Sequence, residues 1–264
     1  MKRVMFAALS VAAMVLVLGS MAQAAITAID FQAVALRASN VGAVPGTITE
    51  WTNGNGVTAD TPLAGQKVYY GTSYFDGKSL SDINYVEFTC RPKGSSNPYM
   101  NLVIKDGAGH YGVISSQGGQ TTTVGDTVHV IYSFAANSGN AGKDFMLYEP
   151  SGEGSLWAAG KHVVWSDISD WTLLGVGETR LQSSGVGGEN GVARAPLTDS
   201  LAIMWGDSAA NYLGTRDIFG VSVVGTNGET YVAGTPEPAT MVIWSLLGLA
   251  GVGYGLRRRK QSQQ

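Results

Sequence analysis

The sequence predicts an all-β body, a sandwich or a barrel, held between two apolar chain ends. Three observations predict it. Apolar runs are short and alternate with polar residues. Glycines and Asn-Gly or Asp-Gly pairs punctuate them. Away from the two ends, no stretch sustains a 3.6-residue period for long. A strand that is apolar on one face must bury that face against another sheet, so many short strands build sandwiches and barrels. A jelly-roll sandwich is the favoured architecture.

The elements follow in order. "KVYYGTSYF" (67–75) reads as a strand. In "INYVEFTCR" (83–91), Val86, Phe88 and Cys90 share parity and point into the core. "YMNLVIKDGAGHYGVIS" (99–115) is a hairpin. Met100, Leu102 and Ile104 line one side, and Tyr99, Asn101 and Lys105 the other. "DGAG" supplies turn positions with φ > 0 before Tyr111 and Val113 resume the alternation. "TVHVIYSF" (127–134) places Val128, Val130, Tyr132 and Phe134 together. "VVWSDISDWTLLG" (163–175) is ambiguous and holds at most a helical turn. "SLAIMWG" (200–206) is a further strand. "DIFGVSVVGTNGETYVAG" (217–234) is a second hairpin around Asn227-Gly228. The Gly-rich stretch 183–196 reads as a long surface loop.

Both chain ends are membrane-directed. Lys2 and Arg3 precede an apolar run from Val4 to Leu18. Ala22 and Ala24 then fill the small-x-small positions read by signal peptidase, which predicts cleavage before Ala25. At the other end Pro236, Glu237 and Pro238 precede an uncharged run, 239–256. As a helix that run spans about 27 Å, close to a hydrocarbon core. Arg257, Arg258, Arg259 and Lys260 follow at once, and cations at that position favour the cytoplasmic side. The two ends therefore agree on one topology, with the body outside. The chain divides into a signal peptide (1–24), an ectodomain (25–234) and a tail (235–260).

The order Pro-Glu-Pro, transmembrane helix, basic cluster resembles the PEP-CTERM sorting signal, with Thr235 where Val is usual. The resemblance implies a membrane-embedded processing enzyme, exosortase, as partner. It also implies an envelope, surface or exopolysaccharide-matrix destination. The sequence around "NPYMNLVIKDGAGHYGV" is diffusely similar to the jelly-roll bodies of other proteins carrying this signal.

Composition narrows the partners. Residues 25–235 carry 11 Lys and Arg against 19 Asp and Glu, a net charge of −8, while the whole chain carries −3. Such a surface argues against nucleic acid and against anionic membrane. The single cysteine, Cys90, cannot form an internal disulfide.

Catalytic motifs are scarce. His110, His129 and His162 lack ligand spacing for zinc and read as surface residues. Asp167 and Asp170, between Trp165 and Trp171, are the only pair suggesting a glycosidase. Residues three apart rarely oppose each other across a sugar, so a capped turn between two core tryptophans is the expectation. No cofactor is expected. A structural calcium suits the residue types of Asp30, Asp76, Asp82 and Asp217, with no site assigned. Tyr69, Tyr70, Tyr74 and Tyr99 could stack on sugars, and Tyr99, Asn101 and Lys105 form the candidate ligand face. The sequence thus supports a non-catalytic structural or interaction protein. A carbohydrate-binding module is the alternative, and a glycan-acting enzyme the weaker one.

Overall fold

The computed structural model describes residues 26–39, 42–94, 96–116, 119–134, 145–148, 162–174, 199–207 and 210–234. The leader with Ala22, Ala24 and Ala25, the tail 235–260 and the Gly-rich stretch 183–196 lie outside them. Among the described residues no helix is long and apolar enough to cross a membrane. The predicted span 239–256 is not among those residues.

The described chain is predominantly β and forms two eight-stranded sheets. The first contains β1 (Ile26–Ile29), β3 (Thr47–Glu50), β4 (Gly56–Thr61), β6 (Ile83–Arg91), β9 (Gln120–Val124), β10 (Thr127–Ser133), β15 (Gly214–Gly225) and β16 (Thr230–Ala233). Its order is β1-β16-β15-β6-β10-β9. The long β15 also pairs with β4, and β4 with β3. The second contains β2 (Gln32–Arg37), β5 (Lys67–Thr72), β7 (Tyr99–Lys105), β8 (Tyr111–Ser116), β11 (Phe145–Tyr148), β12 (His162–Val163), β13 (Thr172–Leu173) and β14 (Leu201–Trp205). Its order is β12-β11-β8-β7-β14-β5-β2, with β13 also on β7. All pairings are antiparallel except β1 with β16.

One core cluster joins the sheets. The first contributes Val57, Val86, Phe88, Cys90, Val128, Val130, Ile218 and Val223. The second contributes Val68, Tyr70, Met100, Leu102, Ile104, Leu201, Ile203 and Trp205. The eight side chains that alternation places inside at 86, 88, 90, 100, 102, 104, 128 and 130 are all buried. Cys90 lies in register between Val128 and Ile218. Burying one such aliphatic side chain contributes about 1.5–3 kcal/mol.

The sheets differ on their outer faces. In the first, β6 and β10 alternate buried and half-exposed residues, so one face meets water. In the second, every residue of β5 and β14 is buried. A second cluster covers the outer face of this sheet, with Leu36, Tyr69, Val103, Val113, Leu174, Ala202 and Met204.

Both expected hairpins form. Lys105 pairs with Tyr111, and Asp106 and His110 close the loop between them (N···O 2.9 Å). Of the two glycines in that loop only Gly109 takes a positive φ, +90°; Gly107 does not. At the second hairpin Gly228 has φ +84° and the Asn227 side chain accepts from the Glu229 amide at 3.0 Å. The ambiguous stretch is a short helical turn, α1 (Trp165–Ile168). It begins after Val164 with no side-chain cap, so the turn is present but the expected cap is not. Trp171 is buried and Trp165 packs against the core.

Candidate functional site

The face predicted for ligand does not stand open. Tyr99, Asn101 and Lys105 do share one side of β7, but Asn101 is buried, at 1% exposure. It sits in register between Ala202 and Ser115. Tyr99 donates its hydroxyl to the Gly206 carbonyl at 3.4 Å, and its ring lies beneath the Lys67 ammonium, 5.4 Å from the ring centre. Tyr69 and Tyr70 are buried too. Tyr70 donates to the Gly54 carbonyl at 2.7 Å. Of the four tyrosines only Tyr74 is strongly exposed, at 45%.

Tyr74 packs against Phe75 and Tyr231, which line a different feature, a pocket of about 230 Å³. Two local structures build it. The first is the turn after β5. Lys78 donates its amide to Phe75 there, at 3.0 Å, and Gly77 takes φ +76°. This geometry turns Phe75 inward and leaves Tyr74 outside. A 3-10 turn over Leu80–Asp82 follows at once. The Ser79 hydroxyl caps it, and the Asp82 carboxylate accepts from the Ser79 amide at 3.2 Å. This reciprocal cap fixes Asp82 at the pocket wall. The second structure is the β15–β16 hairpin. The Thr226 amide donates to the Asp82 carbonyl at 2.9 Å and ties the hairpin tip to the 3-10 turn.

Phe75, Ile83 and Val223 make the apolar floor, and Lys78, Asp82, Asn227 and Glu229 carry the polar groups. Tyr74, Phe75 and Tyr231 contact one another at 5.2–5.3 Å between ring centres. The Lys78 ammonium lies 5.6 Å from the Tyr74 centre and 5.9 Å from that of Tyr231. The Tyr231 hydroxyl donates to the Glu229 carboxylate. That hydrogen bond, with some burial, pushes the Tyr231 phenol up to about 12. The same bond, with help from Asn227, holds Glu229 below the usual carboxylate range. Near neutral pH the pair is therefore a phenol donor facing an ionised carboxylate. The arrangement offers an apolar floor, one ammonium, two carboxylates and an amide. These groups suit hydroxyl-bearing ligands. The volume lies below the roughly 300 Å³ at which pockets begin to take drug-sized molecules, so only a small group or one ring would fit.

Sequence reasoning found Tyr74 and Asp82 by residue type but missed Lys78, Glu229 and Tyr231. The signal was partial: Glu229 and Tyr231 have the same parity beyond the Asn-Gly turn. Nothing in the sequence brings Lys78 to them, because that contact crosses from residue 78 to residues 229–231.

The remaining candidates lie apart. His110 Nδ1 meets Asp106 Oδ2 at 2.8 Å, and His129 Nε2 meets Glu87 Oε2 at 3.4 Å. His162, Asp167 and Asp170 are exposed. Asp217 pairs with Arg91 at 2.9 Å. Among the described residues no group of three or more His, Cys, Asp or Glu could hold a metal ion.

No curated protein matches the chain, and no solved structure matches it. Residues 235–260 match the family model described as the PEP-CTERM protein-sorting motif, and a tail of that kind implies export and exosortase-dependent sorting to the cell surface.

Proposed function

We propose that this is an exported envelope or extracellular-matrix protein with a non-catalytic structural or interaction role. Signal peptidase removes the leader after Ala24. The helix 239–256 and the cluster Arg257–Lys260 hold the tail in the inner membrane, with the body outside the cytoplasm. An exosortase-type enzyme then processes the chain near Pro236-Glu237-Pro238, and the jelly-roll-like body passes to the surface or the exopolysaccharide. The observation that carries this reading is the match of residues 235–260 to the sorting motif. Its test is the triple substitution Pro236→Ala, Glu237→Ala, Pro238→Ala in a host that has the enzyme. The variant should accumulate unprocessed in the membrane. Equal size and equal membrane-to-surface ratio for variant and parent would reduce the tail to a passive anchor.

A second reading is favoured by the end pocket: the body also binds a saccharide unit of the matrix. An apolar floor that includes the Phe75 ring, beside two carboxylates and an ammonium, supports it. A glycan array probed with parent and Lys78→Ala separates this reading from a purely structural role. Binding that is lost in the variant supports the pocket, and an array with no signal for the parent counts against it.

A further inference from the structure

The fold determines where the sorting tail leaves the body. On one side of β15, two ribbons lie end to end. β4 pairs with residues 214–219 and β16 with residues 222–224. β3 lies outboard of β4, and β1 outboard of β16. β16 runs toward the start of β4 and meets the loop before it. Gly234 stands at that junction with φ +90°, and a Cβ there would lie 2.6 Å from the Gly54 oxygen and 2.8 Å from the Asn55 nitrogen. The position therefore requires glycine, and the described chain ends there, beside the ends of β1 and β3. Glu50, at the end of β3, accepts from the Ala33 amide at 2.9 Å.

The other chain end reaches the same edge. β1 opens at Ile26, two residues past Ala24, and pairs in parallel with β16. Both membrane-directed segments therefore join the body through one two-stranded ribbon. From Gly234 to residue 239 the chain spans at most about 18 Å. The opposite edge of the sheet, β9, lies five strand spacings from β3, about 24 Å.

From this topology we infer that the tail, while it is in the membrane, holds the body edge-on. The β1/β3 edge faces the lipid headgroups and β9 points away. The inference rests on the membrane reading of the tail. The edge is held by a short tether and not by attraction, because the body is acidic. Processing therefore frees it completely.

The test uses the chain with its leader removed, residues 25–264, in phosphatidylcholine vesicles with acceptor-labelled headgroups. Thr49→Cys and Thr122→Cys, exposed on β3 and β9, carry a donor fluorophore. Buried Cys90 leaves the parent as the unlabelled control. Energy transfer from position 49 should exceed that from 122 by about twofold or more, given the separation of about 24 Å. A flexible insert of about 20 residues after Gly234 should erase the difference while the chain still co-floats with vesicles. Co-flotation with equal transfer from both positions would overturn the edge-on orientation and leave the tail reading intact. A chain that fails to co-float overturns the tail reading, and the orientation falls with it.

Discussion

Lys67 should destabilise the fold at neutral and acid pH, and replacing it with methionine should reveal by how much. Its side chain is 3% exposed, and Nζ lies 3.8 Å from Asp207 Oδ2. Arg37, equally buried, meets the other oxygen of the same carboxylate at 3.3 Å. One carboxylate, itself 39% exposed, thus faces two buried cations. Burial lowers the Lys67 amine from 10.5 to about 7; Asp207 opposes the shift and Arg37 adds to it. Between pH 7 and 10.5 the unfolded chain binds a proton that the folded chain does not, so stability rises with pH across that window. Below pH 7 the penalty is present in full, on the order of 5 kcal/mol from the shift. Measured replacements of buried ions by apolar residues of similar volume give gains of about 1–4 kcal/mol. Losing the cation over Tyr99 removes about 0.5–2 kcal/mol of that gain. Lys67→Met should therefore raise urea-unfolding stability by about 2 kcal/mol at pH 6. At pH 10 the gain should shrink toward zero. A variant less stable than the parent by the same amount at both pH values would refute this account and make Lys67 a net stabiliser.

Three further outcomes follow from burial and backbone geometry. Gly206→Ala should cost about 2–4 kcal/mol in denaturant unfolding, since φ is +97° and the added Cβ would lie 2.3 Å from the Gln66 carbonyl oxygen. Asn101→Leu should leave stability unchanged or raise it by about 1 kcal/mol, because both amide atoms are buried with no hydrogen-bond partner. A loss above about 2 kcal/mol would show that something pairs with the amide. Native Cys90 should resist thiol reagents through pH 9 and react only on unfolding, since burial pushes the thiol up to about 11 against a smaller pull from Arg216.

The inner faces of the fold were legible because alternation has a physical cause. β6 and β10 each have one dry and one wet face, so "VEFTC" and "VHVIY" show which side is which. The same logic misled at Asn101. It assumed that the face opposite Met100, Leu102 and Ile104 meets water, whereas Val103, Ala202 and Met204 bury that face as well. A hint was present: "LAIMW" does not alternate, which marks a strand covered on both sides. Asn101, a polar residue in the register of such a strand, still read as outward-facing. The end pocket was illegible for another reason. Its chemistry depends on a contact between Lys78 and the last hairpin, and single-sequence periodicity carries no information about such pairs.

The two sheets leave different surfaces available for function. The solvated face of the first sheet also carries aromatics. Trp51 stacks on Phe219 at 5.4 Å, and Arg91 lies over both rings while pairing with Asp217. Gly56 permits this packing, since a Cβ there would sit 2.7 Å from Phe219 Cβ. Yet the groups of this cluster are already engaged with one another. The Trp51 indole donates to Thr58, whose hydroxyl donates to Asp217, which accepts from Arg91. A ligand would have to replace these bonds, and exchanging one satisfied hydrogen bond for another yields little net free energy. In the end pocket the polar groups surround open volume. Asp82 and Glu229 already accept from Ser79 and Tyr231, but a carboxylate has further lone pairs, so a ligand hydroxyl there would displace water without breaking those bonds. If the body recognises a saccharide, that difference places recognition at the end of the sandwich, beside β16, the strand that leads into the sorting tail.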